Sequence, residues 1–191
     1  MYKVFFKRLL DVLLSFVAIL FLLLPIIIIA FIILVTDPGP VFFRQKRFGQ
    51  NKTYFKILKF RTMKVNTPDV PTDKLKNPEQ YITKIGKILR KTSLDELPQI
   101  FNIFIGQMSF IGPRPALYNQ TELIKLRDKT GANDVRPGLS GWAQVNGRDD
   151  ISEKDKAKFD GEYVKKMSFL FDCKCFFGTI TKAFRGEGIA A

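Results

Sequence analysis

Histidine is absent from this sequence, and its absence removes more chemistry than any other feature of the composition. Ser-His and Cys-His nucleophile activation, His-ligated zinc and imidazole acid-base work are all excluded. Carboxylates and cations must carry any catalysis. Cysteine is nearly absent as well: the 2 cysteines, Cys173 and Cys175, stand one residue apart in a Phe-rich stretch, a spacing that suits neither a disulfide framework nor a zinc site. They are expected only to pack, in a protein facing a reducing cytoplasm. No internal repeat and no low-complexity tract is evident.

Acidic residues are in short supply: 18 Asp and Glu face 31 Lys and Arg, a formal charge of +13. An anionic partner follows, and lipid headgroups, nucleotide phosphates and nucleic acid all fit the charge. The same chain is 46% hydrophobic with 19 Phe, so it is not a solvated basic tail. At 191 residues one domain spanning 1–191 is expected, its core shared with an apolar membrane segment.

That segment runs from Val12 to Val35, interrupted only by Ser15 and Pro25. Roughly twenty strongly apolar residues, each favouring lipid by about 0.3 to 0.6 kcal/mol, outweigh one Ser and one Pro. The run is too long for a signal-peptide core and continues into Asp37-Pro-Gly-Pro40 without a small-residue cleavage site. Lys3, Lys7 and Arg8 precede it and Arg44, Lys46 and Arg47 follow it, so charge holds both ends on the cytoplasmic side. Pro25 divides the run into two arms of about 15 to 20 Å, each short of the roughly 30 Å hydrocarbon core. A helix-break-helix that enters and leaves on one face satisfies both observations; a Pro-kinked spanning helix is the alternative. In either, the Phe21 carbonyl needs another partner.

Beyond the membrane segment, Val41–Arg47 and Thr53–Met63 read as a β-hairpin around Gly49-Gln-Asn-Lys52. Alternation places Tyr54, Lys56, Leu58 and Phe60 on one face, and Phe55, Ile57, Lys59 and Arg61 on the other. Residues 64–80 read as a surface excursion. Tyr81–Arg90 has helical spacing of Ile82, Ile85, Ile88 and Leu89 with a basic side. Ser93 and Glu96 have the form of a capping box opening the next helix, whose expected buried stripe is Leu94, Leu97, Phe101 and Phe104. Capping accounts for Glu96 but not for Asp95 beside it. Gly112-Pro-Arg-Pro115 and Arg136-Pro-Gly138 hold arginines on stiff loops able to grip phosphate, or are plain turns. Ser152–Lys166 reads as a charged helix. Phe169–Phe184 reads as an interfacial helix with Lys174 and Lys182 toward headgroups, or as core packed on the hairpin.

Taken together, these blocks resemble the bacterial sugar transferases, specifically the small monotopic phosphoglycosyl transferases related to the enzymes that start bacterial glycoprotein and capsule glycan assembly. The resemblance runs through Lys7-Arg8 with Asp11, Asp37-Pro-Gly-Pro-Val-Phe-Phe-Arg-Gln45, Phe55-Lys-Ile-Leu-Lys-Phe-Arg-Thr-Met63 and Thr92-Ser-Leu-Asp-Glu-Leu-Pro-Gln99. It continues through Gly106-Gln-Met-Ser-Phe-Ile-Gly-Pro-Arg-Pro115, Arg136-Pro-Gly-Leu-Ser-Gly-Trp-Ala-Gln-Val-Asn-Gly-Arg148 and Tyr163.

The resemblance implies a mostly helical α+β monotopic membrane protein on the cytoplasmic face of the bacterial inner membrane. Residues 1–36 would form a re-entrant helix broken at Leu24-Pro25, where relatives often carry Ser-Pro, and residues 37–191 the catalytic part. It also implies that Asp95 and Glu96 are a catalytic pair: Asp95 attacks the β-phosphate of a UDP-sugar, UMP leaves, and a polyprenyl (undecaprenyl) phosphate takes the phosphosugar in a ping-pong cycle, the first membrane step of glycoconjugate assembly. Mg²⁺ is the implied cofactor, held by Asp95, Glu96 and the phosphates. By position in the family blocks, Lys59, Arg90, Arg114 and Arg148 are the phosphate-gripping cations. An aspartate is ionised at neutral pH and needs no base to become a nucleophile, which accords with a chain lacking His. The rival readings are a glycosyltransferase that moves the sugar alone and releases UDP, and a non-catalytic basic membrane adaptor. Membrane lipids are expected partners and nucleic acid is not, because the Lys and Arg are scattered among the blocks. A homo-oligomer is left open.

Overall fold

The computed structural model describes residues 2–68, 77–147 and 151–185. The apolar run forms one helix, α1 (Lys7–Thr36), after a wider helical turn at Tyr2–Phe6. Its 30 residues reach about 45 Å at the usual helical rise. Leu24 and Pro25 lie inside α1, and the expected break is not a change of element. Proline's fixed φ is itself helical, so the chain can continue past the one lost hydrogen bond.

One stripe of α1 faces protein: Lys7, Asp11 and Ser15 are buried one turn apart, followed by Ile26 and Ile33. The other side is bare, with Phe21 77% and Leu24 65% exposed. An uncovered apolar face of this length is suited to lipid rather than water, and the helix is long and apolar enough to cross a membrane.

The hairpin forms as expected, β1 (Phe42–Phe48) pairing antiparallel with β2 (Tyr54–Phe60) in a register that sets Phe42 opposite Phe60 and Phe48 opposite Tyr54. Phe55 and Ile57 are buried, so alternation aims Lys59 inward as well. Next come α2 (Lys84–Thr92) and α3 (Gln99–Phe104). Ile26 and Ile33 of α1, Ile57 and Phe60 of β2, Leu89 of α2 and Ile103 of α3 share the main core.

The second layer was not legible as strand. β3 (Ser109–Ile111) and β4 (Gly138–Ser140) pair in parallel, each too short to show a period of two. Between them runs α4 (Thr121–Asp128), and after them α5 (Trp142–Val145), α6 (Glu153–Lys166) and α7 (Phe169–Arg185). The charged helix is α6, capped by Ser152, whose hydroxyl accepts from the Asp155 N–H at 3.1 Å. Helix α7 packs against α5, β3 and β4 rather than on the hairpin. Leu170 is 79% and Phe177 63% exposed, while Cys175 is buried and both thiols are free. Burial pushes the Cys175 thiol up to about 12, which leaves it inert.

Three local expectations are corrected. Ser93 does not cap a new helix: it closes α2 in the left-handed region (φ 57°) and makes no side-chain cap hydrogen bond. The residues after it form a 3-10 turn, Leu94–Glu96, and α3 begins only at Gln99. The buried side of α3 is accordingly Gln99, Ile100, Asn102 and Ile103, with Leu94 and Phe104 exposed. The proposed stripe presumed one helix through residues where the chain turns. On α2 the buried side is Gly86 and Leu89, and Ile88 is exposed.

Candidate active site

The left-handed turn at Ser93 places Asp95 and Glu96 between β2 and the end of α2. Glu96 is the better tied of the two. One of its oxygens, Oε1, accepts from Lys59 Nζ at 2.8 Å and from Arg114 at 2.6 Å. Burial alone would raise its carboxyl, but Arg114 and then Lys59 overcome it and hold Glu96 well below the usual carboxylate range. Asp95 is as secluded, its side chain 14% exposed, yet its ion pair with Lys59 is 3.9 Å long. Burial raises the Asp95 carboxyl; Lys59 and Arg90 oppose the rise and the neighbouring Glu96 charge adds to it.

Each cation arrives on a different element. Lys59 comes from the inward face of β2. Arg90 lies in the last turn of α2, where its Nε donates to Thr62 Oγ1 at 3.0 Å. Burial lowers Arg90 and the Asp95 charge counters it. Helix α2 reaches Thr62 because Gly86 has no side chain: a Cβ there would stand 2.1 Å from the Thr62 carbonyl oxygen. Arg114 follows β3 on a loop locked by Gly112 N–H to Ser140 O at 2.8 Å and Gly138 N–H to Pro113 O at 2.9 Å. A Cβ on Gly112 would meet the Arg136 carbonyl at 2.5 Å.

Lys59, Arg90 and Arg114 are thus brought together around Asp95 and Glu96, while Arg148 lies outside the described residues. Arg136 points elsewhere. It donates to the Gly106 carbonyl at 3.1 Å and lines a separate cavity of about 200 Å³ with Lys3, Lys7 and Asp11. The membrane-segment residues Leu24 and Pro25 take no part in the cluster.

Among the described residues no group of three His, Cys, Asp or Glu side chains is placed to hold a metal. Two adjacent carboxylates, one oxygen of which already serves two cations, do not make an all-protein cage. They do match how Mg²⁺ is commonly bound, through one or two carboxylates plus substrate phosphates and water. The donor set therefore fits an ion that arrives with its phosphate ligands.

The family model for bacterial sugar transferases matches residues 2–186. The chain belongs to that family. Among similar proteins, a UDP-glucose:undecaprenyl-phosphate glucose-1-phosphate transferase of Escherichia coli is 39% identical over 93% of this chain. The exopolysaccharide production protein ExoY of Sinorhizobium fredii is 37% identical over 91% of the chain and 83% of its own length. A sugar transferase of Bacillus subtilis, EpsL, is 40% identical over 79% of the chain. The chain spans only 40% of the length of the Escherichia coli relative.

Sequence reasoning about this sugar transferase missed the supports of the site. Thr62 stands inside one of the family blocks without an assigned role, and nothing in the sequence marks Gly86. Their importance comes from which backbone groups they meet across the fold, and no local pattern encodes that. Asp172 was also missed: Lys7 Nζ donates to it at 2.6 Å and Tyr163 at 2.8 Å.

Proposed function

We propose that this protein is a phosphoglycosyl transferase that moves a phosphosugar from a UDP-sugar to a polyprenyl (undecaprenyl) phosphate, releasing UMP. The observation that carries this reading is the unequal treatment of two adjacent carboxylates. Glu96 is bound tightly by Lys59 and Arg114, whereas Asp95 is held in the same cationic field and, among the described residues, makes no ion pair shorter than 3.9 Å. A nucleophile needs that second state: charged, positioned, and not clamped by a short ion pair.

In the first half-reaction an Asp95 carboxylate oxygen attacks the β-phosphorus. The bond from that phosphorus to the bridging oxygen breaks, and UMP leaves with the electron pair. In the second, an oxygen of polyprenyl phosphate attacks the same phosphorus, forms the diphosphate link and returns Asp95 as a free carboxylate. Lys59, Arg90 and Arg114 offset the repulsion between carboxylate and diphosphate and stabilise charge on the transferring group. Arg148 is proposed as a fourth such cation from sequence alone. Glu96 keeps Lys59 and Arg114 in place between substrate molecules. Mg²⁺, held by Asp95, Glu96 and the phosphates, would neutralise phosphate charge when bound.

The acceptor is a lipid, so the site must sit at a membrane surface. Both ends of α1 are fastened to the same body: Arg8 donates to the Ile103 and Phe104 carbonyls at 2.8 and 2.7 Å, and Arg61 pairs with Asp37 at 3.2 Å. That supports a monotopic anchor that enters and leaves on one face, with the catalytic part on the cytoplasmic side of the inner membrane. The names of the relatives, which include undecaprenyl-phosphate transferases, support the donor and acceptor classes.

The deciding experiment incubates detergent-solubilised protein with a panel of UDP-sugars and polyprenyl phosphate and identifies the released nucleotide. UMP is expected; UDP would mean transfer of the sugar alone. Mass spectrometry of protein treated with donor alone should find a phosphosugar adduct on Asp95, and its consistent absence would refute the covalent route.

A further inference from the structure

A single amide ties the strand that supplies Lys59 to the helix that follows the carboxylates. Asn102, on α3, is 4% exposed. Its Oδ1 accepts from the Leu58 N–H at 3.0 Å, and its Nδ2 donates to the Lys56 carbonyl at 3.0 Å and to Gln107 Oε1 at 2.7 Å. Leu58 and Lys56 carry the outward-pointing backbone groups of β2, on the edge that does not pair with β1. Asn102 therefore occupies the place a third strand would take and satisfies both groups in a buried setting.

We infer that Asn102 is the positioning residue for Lys59, setting the register between β2 and the Asp95-Glu96 turn. The reasoning is geometric. Lys59 is the residue after Leu58, and its ammonium must reach Glu96 at 2.8 Å while standing 3.9 Å from Asp95. The hairpin has only two strands, and β1 lies on the far side of β2 from this edge. Among the described residues no other hydrogen bond joins the free edge of β2 to α3, and the packing that remains without the amide fixes distance but not register. A slip of one residue along the strand, about 3.4 Å, turns the Lys59 side chain to the other face and takes the ammonium off both carboxylates. Asn102 touches no substrate in this account; it acts through Lys59.

This inference rests on the reading of Lys59 as a phosphate-gripping cation, and a double-mutant cycle on UDP binding separates the two. UDP affinity is measured by calorimetry on the full chain in detergent with Mg²⁺, for wild type, Asn102→Ala, Lys59→Met and the double variant. Lys59→Met and Asn102→Ala should each weaken UDP by about tenfold. The double variant should be no weaker than Lys59→Met, because the two changes remove one interaction. Losses that multiply, or an Asn102→Ala variant that binds as wild type while Lys59→Met does not, would overturn the positioning role. If Lys59→Met itself binds UDP normally, the reading of Lys59 fails, and a loss in Asn102→Ala would then belong to another cause. Should Asn102→Ala not fold, Asn102→Asp retains the volume and the oxygen facing Leu58 but loses both donated bonds. The same cycle applies to it, with a melting curve showing that the folded state persists.

Discussion

Asp95 and Glu96 are chemically near-identical neighbours that the fold drives apart. Burial raises the Asp95 carboxyl, so its attacking, ionised form is lost sooner as pH falls than that of an ordinary aspartate near about 4. In protein without donor or Mg²⁺, the Asp95 carboxyl should titrate above that value, measured by ¹³C NMR with Asp95→Asn to assign the signal. Asp95→Asn should reduce turnover by about ten-thousandfold or more, read as UMP release. Glu96 behaves in the opposite sense. Its folded value is depressed, so its contribution to stability is present above its unfolded value, near about 4.3, and declines as pH falls below it. Glu96→Gln should therefore melt below wild type at neutral pH, and the gap should narrow in acid.

At the scale of elements, the site depends on close approaches that only small residues permit. Helix α2 delivers Arg90 because Gly86 lets it rest on the Thr62 carbonyl. Gly86→Ala would force a Cβ to within 2.1 Å of that oxygen. The helix must shift, with an expected destabilisation of about 1 to 3 kcal/mol from overpacking and a loss of activity through a displaced Arg90. Thermal denaturation and UMP release in parallel check both. The hairpin and the helices α2, α6 and α7 were legible because each is long enough to display a period. The 3-10 turn carrying the carboxylates was not, since Ser-x-x-Glu is a capping signal whose geometry here is overruled by the left-handed Ser93. The short strands β3 and β4 were hidden for want of length.

For the whole molecule, the question is how a membrane helix and a charged catalytic part become one body. Lys7 and Tyr163 meet on Asp172 in the buried layer between α1, α6 and α7, and Tyr163 also donates to the Ile111 carbonyl at 3.1 Å. Removing Asp172 takes from the buried Lys7 ammonium its partner at 2.6 Å and leaves Asp11 as the nearby counter-charge, so Asp172→Ala should cost about 3 kcal/mol, seen as a lower melting temperature in detergent. Single cysteines at positions 2 and 50, in a chain carrying Cys173→Ser and Cys175→Ala, should both be labelled from the cytoplasmic side. Labelling from opposite sides would mean that α1 spans the bilayer.

What the sequence determined by itself was chemistry of a kind that residue types limit. A chain without His must use carboxylates and cations, and the run from Val12 to Val35 is long and apolar enough to cross a membrane. The ordered blocks then pointed to one family and to Asp95 beside Glu96. Only the tertiary structure decided that Glu96 is gripped at short range by Lys59 and Arg114 while Asp95 stands 3.9 Å from Lys59, and that Thr62 accepts from Arg90. Those distinctions rest on distances of a few ångströms between residues far apart in the chain, and periodicity along the chain carries no record of them.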